Sequence, residues 1–259
     1  NTLTFNYTIG AGHTSSDLDY KATSSLGLNG GAIKDAALNA ATLTLASPGA
    51  TNSLGNSKAL IVDTSVPTLV SAVTGDNNLD GTVDRLVLTF SEQVDLTSVD
   101  NNNFTLTESA GGSSLAISGS YSASDQTTVT LTLIGVTADN TSLIISPDYD
   151  NATGTIIDKA GNEMSFSETV AGTDKAPPAM LSAVTGDSNI DGSVDQIVVT
   201  FSEQVDLTNV DNDNFTLKES AGGNPTIASS GVGNNKYSAN NVTSITFNLA
   251  GVAPENALL

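Results

Sequence analysis

Two stretches of the chain carry almost the same residues in the same order. Residues 71–112 read SAVTGDNNLDGTVDRLVLTFSEQVDLTSVDNNNFTLTESAGG, and residues 182–223 read SAVTGDSNIDGSVDQIVVTFSEQVDLTNVDNDNFTLKESAGG, 111 positions later and identical at 33 of 42 positions. The exchanges are mild, such as Leu79 for Ile190 and Thr82 for Ser193. This period is too long for a solenoid unit and fits one whole small domain. The chain therefore reads as a stretch of a tandem array: a complete unit at 66–176, the second half of a unit at 1–65, and the first part of another at 177–259. Arrays of this kind reach, space and hold rather than catalyse.

Proline marks the boundaries. Val62-Asp63-Thr64-Ser65-Val66-Pro67 precedes one copy and Gly172-Thr173-Asp174-Lys175-Ala176-Pro177-Pro178 the next. Proline fixes φ and removes a donor, so short, extended, stiff linkers are expected. Within the complete unit, Leu86, Leu88 and Phe90 alternate on one face, and Val129, Leu131 and Leu133 do the same between outward threonines. Further strands are expected near 68–73, 103–108, 115–120, 142–146, 155–158 and 163–170, with a single helical turn near Leu96–Val99. About seven short strands separated by turns predict an all-β, antiparallel sandwich. The flanks follow the same plan. Thr2–Tyr7 alternates like the strand at 128–133, and residues 31–39 (GAIKDAALN) parallel residues 154–162 (GTIIDKAGN).

Composition narrows the function classes. Eight Lys and Arg against 28 Asp and Glu give a formal net charge of −20, so nucleic acid and anionic lipid are poor partners and divalent cations good ones. The absence of cysteine excludes disulfides and thiol chemistry. No apolar run approaches the length of a membrane span, so membrane insertion is not expected. The chain starts at Asn1 rather than Met and carries no signal peptide, as an interior fragment or processed product would.

TFSEQVDLTSVDNNNFTLTESAGG, followed by IIDKAGNEMS, resembles the bacterial immunoglobulin-like repeats of large secreted and cell-surface proteins, among them adhesins, S-layer-associated proteins and swimming-motility-type proteins. The first segment, with LTFNYTIGAGHTSSDLDY and LNGGAIKDAALNAATLTL, is similar to the companion module found beside them. The resemblance implies tandem Ig-like sandwiches in an extracellular setting and is nearly silent on ligand. It also implies Gly in the turn where this chain has Leu38, so that turn is expected to be built differently from the one at Gly161.

The sharpest motif runs from Asp76 to Asp84 (DNNLDGTVD) and again from Asp187 to Asp195 (DSNIDGSVD). Asp76, Asn78, Asp80 and Asp84 put side-chain oxygens at loop positions 1, 3, 5 and 9, with Gly81 at 6 and Thr82 offering its carbonyl at 7; Asp187, Asn189, Asp191, Ser193 and Asp195 with Gly192 repeat the pattern. That spacing is the first part of an EF-hand-type calcium loop, in which alternate residues turn inward and Gly permits the bend. Position 12 is Val87 or Val198 instead of Glu, and the flanks are strands, so the loop is partial. Asp63 and Asp174 in the linkers are candidates to complete it. The bland alternative is an Asp/Asn/Gly turn whose carboxylates cap backbone amides. Calcium is favoured because the set of oxygens recurs in both copies; magnesium prefers more water.

Other features are weaker. Asp158-Lys159-Ala160-Gly161-Asn162 reads as a turn, and Glu92 and Glu203 as solvated or salt-bridged, with a metal-ligand role for Glu92 as the alternative. His13 is the only histidine, which excludes a nucleophile–base pair with Cys and a zinc cluster, and no catalytic residue is assigned. The expected function is a structural, calcium-stabilised stalk or filament segment whose partner is itself, by neighbouring domains or by strand complementation between chains. The alternatives are an adhesin module holding a cell-surface ligand, through the divergent loops 113–125 and 224–240, and accessory domains of a secreted enzyme.

Overall fold

The computed structural model describes residues 2–108, 115–119, 121, 123–136, 145–150, 154–208, 210–211, 214–218, 225–228, 236–237, 241–250 and 252. The loops 113–125 and 224–240 lie partly outside these residues.

The middle unit is a two-sheet sandwich. Its larger sheet is built from β1 (Leu69–Gly75), β2 (Arg85–Asp95), β4 (Ala116–Ser118), β5 (Gln126–Ile134), β7 (Ile157–Asp158) and β9 (Gly172–Thr173). The order is β4-β5-β2-β1-β9, with β7 also pairing with β2. The smaller sheet is β3 (Phe104–Glu108), β6 (Ile145–Tyr149) and β8 (Glu168–Thr169), in the order β3-β6-β8. Every pairing in these sheets is antiparallel except β1 with β9, where Ala72 and Val73 run alongside Gly172 and Thr173 in parallel.

The period-two face read from the sequence is the face that is buried. Leu86, Leu88 and Phe90 of β2 and Val129, Leu131 and Leu133 of β5 join Ala72, Phe104, Leu106, Tyr149, Ile156 and Met164 in one core. Burying each large apolar side chain stabilises the unit by about 1.5–3 kcal/mol. Tyr149 is fully buried, and its hydroxyl accepts a hydrogen bond from the Ile156 amide at 2.9 Å, which removes the cost of an orphaned polar group.

The third unit repeats the hairpin as β10 (Met180–Gly186) and β11 (Gln196–Val205). With β13 (Thr226–Ile227) and β15 (Val242–Ala250) it forms a sheet in the order β10-β11-β15-β13, while β12 (Val210–Asp211) pairs with β14 (Lys236–Tyr237). A second core gathers Ile197, Val199, Leu207, Ile245, Phe247 and Leu249.

Several expectations change. Thr2–Tyr7 is not a strand: no strand pairs with it among the described residues, and Leu3, Phe5 and Tyr7 are exposed. A lone alternating segment gains nothing from extension without a partner to accept its amides. Residues 2–65 are held instead by the isolated bridges Ser15–Val62 and Lys34–Ala40 and by the one-turn helix α1 (Leu54–Ser57), capped by the Ser53 hydroxyl. The turn at Leu96–Val99 is a hydrogen-bonded turn, Val99 N–H to Leu96 C=O, and the helical residues come later, as a 3-10 turn at Asn101–Asn103. The strand expected over 163–170 is reduced to Glu168–Thr169, and that expected near 142–146 lies at Ile145–Tyr149, with residues 142–144 outside the described set.

Candidate metal centre

Loop 76–84 joins β1 to β2, and its shape is set by its own carboxylates. Asp76 accepts the Leu79 amide through Oδ1 at 2.7 Å and the Gly81 amide through Oδ2 at 2.8 Å. Asn78 Oδ1 accepts the Asp80 amide, Asp80 Oδ1 the Thr82 amide, and Asp84 Oδ1 the Asn77 amide. Two residues take positive φ, Leu79 at 60° and Gly81 at 84°. The chain is thereby wound so that Asp76, Asn78, Asp80 and Asp84 all serve one short loop.

The second loop, between β10 and β11, repeats this winding. Asp187 accepts the Gly192 amide at 2.8 Å, Asn189 the Asp191 amide, Asp191 the Ser193 amide, and Asp195 the Ser188 amide. Ile190 and Gly192 have φ of 61° and 86°. Amide donors hold the Asp80 carboxyl below its usual range, chiefly through Thr82, and the Ser188 hydroxyl and amide do so for Asp195. Both groups are therefore ionised over a wide pH range.

The residue types of the loop suit a hard cation, but among the described residues the acids whose carboxylate oxygens gather within 4.8 Å are Asp63, Glu92 and Asp158, and Asp76, Asp80 and Asp84 do not form such a group. An ionised carboxylate has about four acceptor directions on its two oxygens, and the amide bonds occupy only some of them at Asp76, Asp80 and Asp84. The same amide bonds are what a pure capping turn would make, so loop geometry alone serves both readings. Val87 and Val198 lie in β2 and β11 and supply no twelfth-position ligand.

Asp63 does not sit with loop 76–84. It lies at the opposite end of the β1–β2 hairpin, where Asp63, Glu92 and Asp158 bring carboxylate oxygens within 4.8 Å of one another. Glu92 is thus partly buried among acids, and no ion pair to it is found among the described residues, unlike the solvated or salt-bridged state the sequence suggested; partial burial, then the charges of Asp158 and Asp63, push its pKa up. Asp158 is the turn residue expected: Oδ1 accepts the Ala160 and Asn162 amides, Oδ2 accepts from the Asn162 side chain, and Gly161 has φ 88°. Asn162 also donates to the Asp63 carbonyl, which carries the turn to the linker. Sequence reading saw each of these three acids but not their meeting, because it depends on β2 pairing with β7.

Asp174 stays near the loop end of the hairpin, where its Oδ1 accepts the Thr74 hydroxyl at 3.0 Å. The turn at Leu38 is built like that at Gly161. Asp35 accepts the Ala37 and Asn39 amides and the Asn39 side chain, and Leu38 takes φ 70°. A missing Gly was met by strain in Leu38, not by a different turn. His13 serves its own loop, with Nδ1 hydrogen-bonded to the Tyr7 hydroxyl and the Gly10 amide.

Residues 63–171, which contain both sheets of the middle unit, match the family model of the bacterial Ig-like domain. This part of the chain is similar to the bacterial Ig-like domain. No curated protein matches the chain. Among solved structures, the S-layer protein rSbsC(31-844) is 21% identical over 73% of this chain and 24% of its own length, with a TM-score of 0.33. The N-terminal part of the bacterial S-layer protein SbsC is 21% identical over 66% of this chain and 37% of its own, at 0.32. A thermostable esterase is 19% identical over 58% of this chain and 44% of its own, at 0.28. The chain spans about a quarter of the first of these proteins. No helix among the described residues is long and apolar enough to cross a membrane.

Proposed function

We propose that the chain is a structural, calcium-stabilised repeat segment of a bacterial cell-surface or secreted protein, in which Ig-like domains set spacing and stiffness. The observation that carries this reading is the pair of loops, 76–84 and 187–195, each winding the same acidic residues into one turn on an Ig-like hairpin. Calcium would neutralise part of the acidic charge and hold each loop in its wound form. At a hundred times its dissociation constant, a cation bound only by the folded domain adds about 2.7 kcal/mol per site. In this reading the chain performs no chemistry on a substrate. Asp80→Ala and Asp191→Ala are expected to lower the melting temperature much more in calcium than in chelator; equal losses in both would overturn the metal role.

Self-association is a second reading, favoured by β10. Met180 and Val184 of β10 are exposed apolar side chains on a strand edge. Light scattering tests it: ordered assemblies that fall apart on chelation support a calcium-dependent polymer, and a monomer in both conditions supports a passive spacer.

A further inference from the structure

Loop 76–84 touches more than its own domain. A Cβ built on Gly81 would stand 2.6 Å from Ser202 Cβ and 2.8 Å from Leu181 Cδ2, so the Gly81 backbone lies directly against the third unit. Leu181 is there because β10 has a register shift between Met180 and Ser182, and a bulge re-aims the extra residue. The middle unit has the same shift between Leu69 and Ser71, which leaves Val70 at the corresponding place.

The two copies supply the control. Ser91 and Ser202 make the same local bond, each hydroxyl accepting an amide from the segment ahead of its hairpin, Thr68 or Ala179, at 3.0 and 2.9 Å. Yet Ser202 is 3% exposed, whereas Ser91 is exposed. The neighbour covering Ser202 is loop 76–84.

A second fastening lies beside the first. The Thr74 hydroxyl donates to Asp174 Oδ1 and accepts the Lys175 amide, while Asp174 also accepts the Ala176 amide. Thr74 is buried, so the linker leaves the middle unit pinned to β1 two residues before the loop begins. One attachment holds the start of the linker to β1 and the other joins the middle unit to the third, so together they restrict a motion that a linker alone leaves free.

We propose that loop 76–84 is an interdomain clamp: Gly81 seats on Ser202 and Leu181, and with the Thr74–Asp174 fastening it makes the middle and third units move as one body. This adds a partner surface to the loop already read as a calcium site, but the contact itself stands on packing. It also assigns Gly81 a second demand: the residue needs positive φ for the turn and no side chain for the seat.

The cysteine-free chain permits a direct test with spin labels at Thr130→Cys and Ser244→Cys, exposed positions on β5 and β15. Pulsed electron–electron distance measurement on the whole chain is expected to give one narrow distribution. Leu181→Glu, which alters the seat and not the loop, is expected to abolish that narrow peak while the middle unit keeps its melting temperature. Ser202→Trp should do the same from the other side. A peak that stays narrow in both variants overturns the clamp. Chelation reports separately on the metal: broadening supports calcium in the loop, and an unchanged peak that Leu181→Glu still abolishes leaves the clamp standing and removes the calcium reading.

Discussion

Ala72 and Ala183 stand at the same place in two copies of one sequence, and their surroundings are opposite. Ala72 is fully buried, between its strand neighbours and the core, while Ala183 is exposed along with most of β10. The backbone tells the other half. Asp84 N–H to Gly75 C=O is 3.1 Å, and its counterpart, Asp195 to Gly186, is 3.0 Å; Leu133 to Asp84 is 2.8 Å and Leu249 to Asp195 is 2.7 Å. Even the stacking of a long side chain across a glycine recurs, Arg85 over Gly75 and Gln196 over Gly186. Local hydrogen bonding copies with the sequence. Burial does not, because it belongs to whatever packs on the hairpin from elsewhere: β9 beside β1, and the β3-β6-β8 sheet over the core.

The comparison breaks first at its most buried point. Phe90 is 3% exposed in the middle core, while its counterpart Phe201 is only half-buried. Phe90→Ala is expected to cost about 3–5 kcal/mol, and Phe201→Ala distinctly less. Denaturant melts resolving the two units check this, and equal costs would mean the copies are equally packed. Ala72→Leu is expected to cost about 1–3 kcal/mol by overpacking, while Ala183→Leu changes stability by less than about 0.5 kcal/mol.

The Asp35 and Asp158 turns sharpen the local side of the argument. Leu38 holds a left-handed conformation that costs a non-glycine residue about 1–2 kcal/mol, and it is 74% exposed, so removing it loses little packing. Leu38→Gly is therefore expected to stabilise the turn by about 1 kcal/mol, seen as slower hydrogen exchange at the Asn39 and Ala41 amides. Gly161→Leu should do the reverse.

The smallest effect is pH-dependent. In chelator, the raised Glu92 pKa means that protonation favours the folded state: the gain is complete below the unfolded glutamate range and fades as pH rises through the folded value. Asp80, Asp195 and Asp206 behave oppositely, their depressed values giving stability that is present above the unfolded aspartate range and lost as pH falls through the folded values. Thermal melts should show stability rising slightly from neutral pH toward mild acid, then falling in stronger acid. Glu92→Gln should flatten the first limb and leave the second; an unchanged profile would refute the carboxylate cluster.

What could be read from the residues alone follows the same division. The alternation in β2 and β5, the wound Asp-Asn-Asp-Gly loops and the Asp158 turn are set by neighbours a few positions away, so the pattern names them. The Thr2–Tyr7 segment alternates just as well and forms no strand, because alternation describes a face without supplying a partner. The gathering of Asp63, Glu92 and Asp158, and the seating of Gly81 on Ser202, each need two distant segments to meet. No local spacing encodes those meetings. The Leu38 turn shows the converse: the Asp35 and Asn39 bonds outweigh the absent Gly.

The parallel pairing of β1 with β9 has a mechanical consequence. The chain enters the middle unit below β1 and leaves above β9, so a pull on its two ends drags these adjacent strands in opposite directions along their length. The ladder that sets Ala72 beside Gly172 and Val73 beside Thr173, with the Thr74 hydroxyl on Asp174 and Lys175, is then loaded as a whole in shear instead of peeling apart one bond at a time. A domain strung this way resists force most strongly along the axis on which its neighbours would pull.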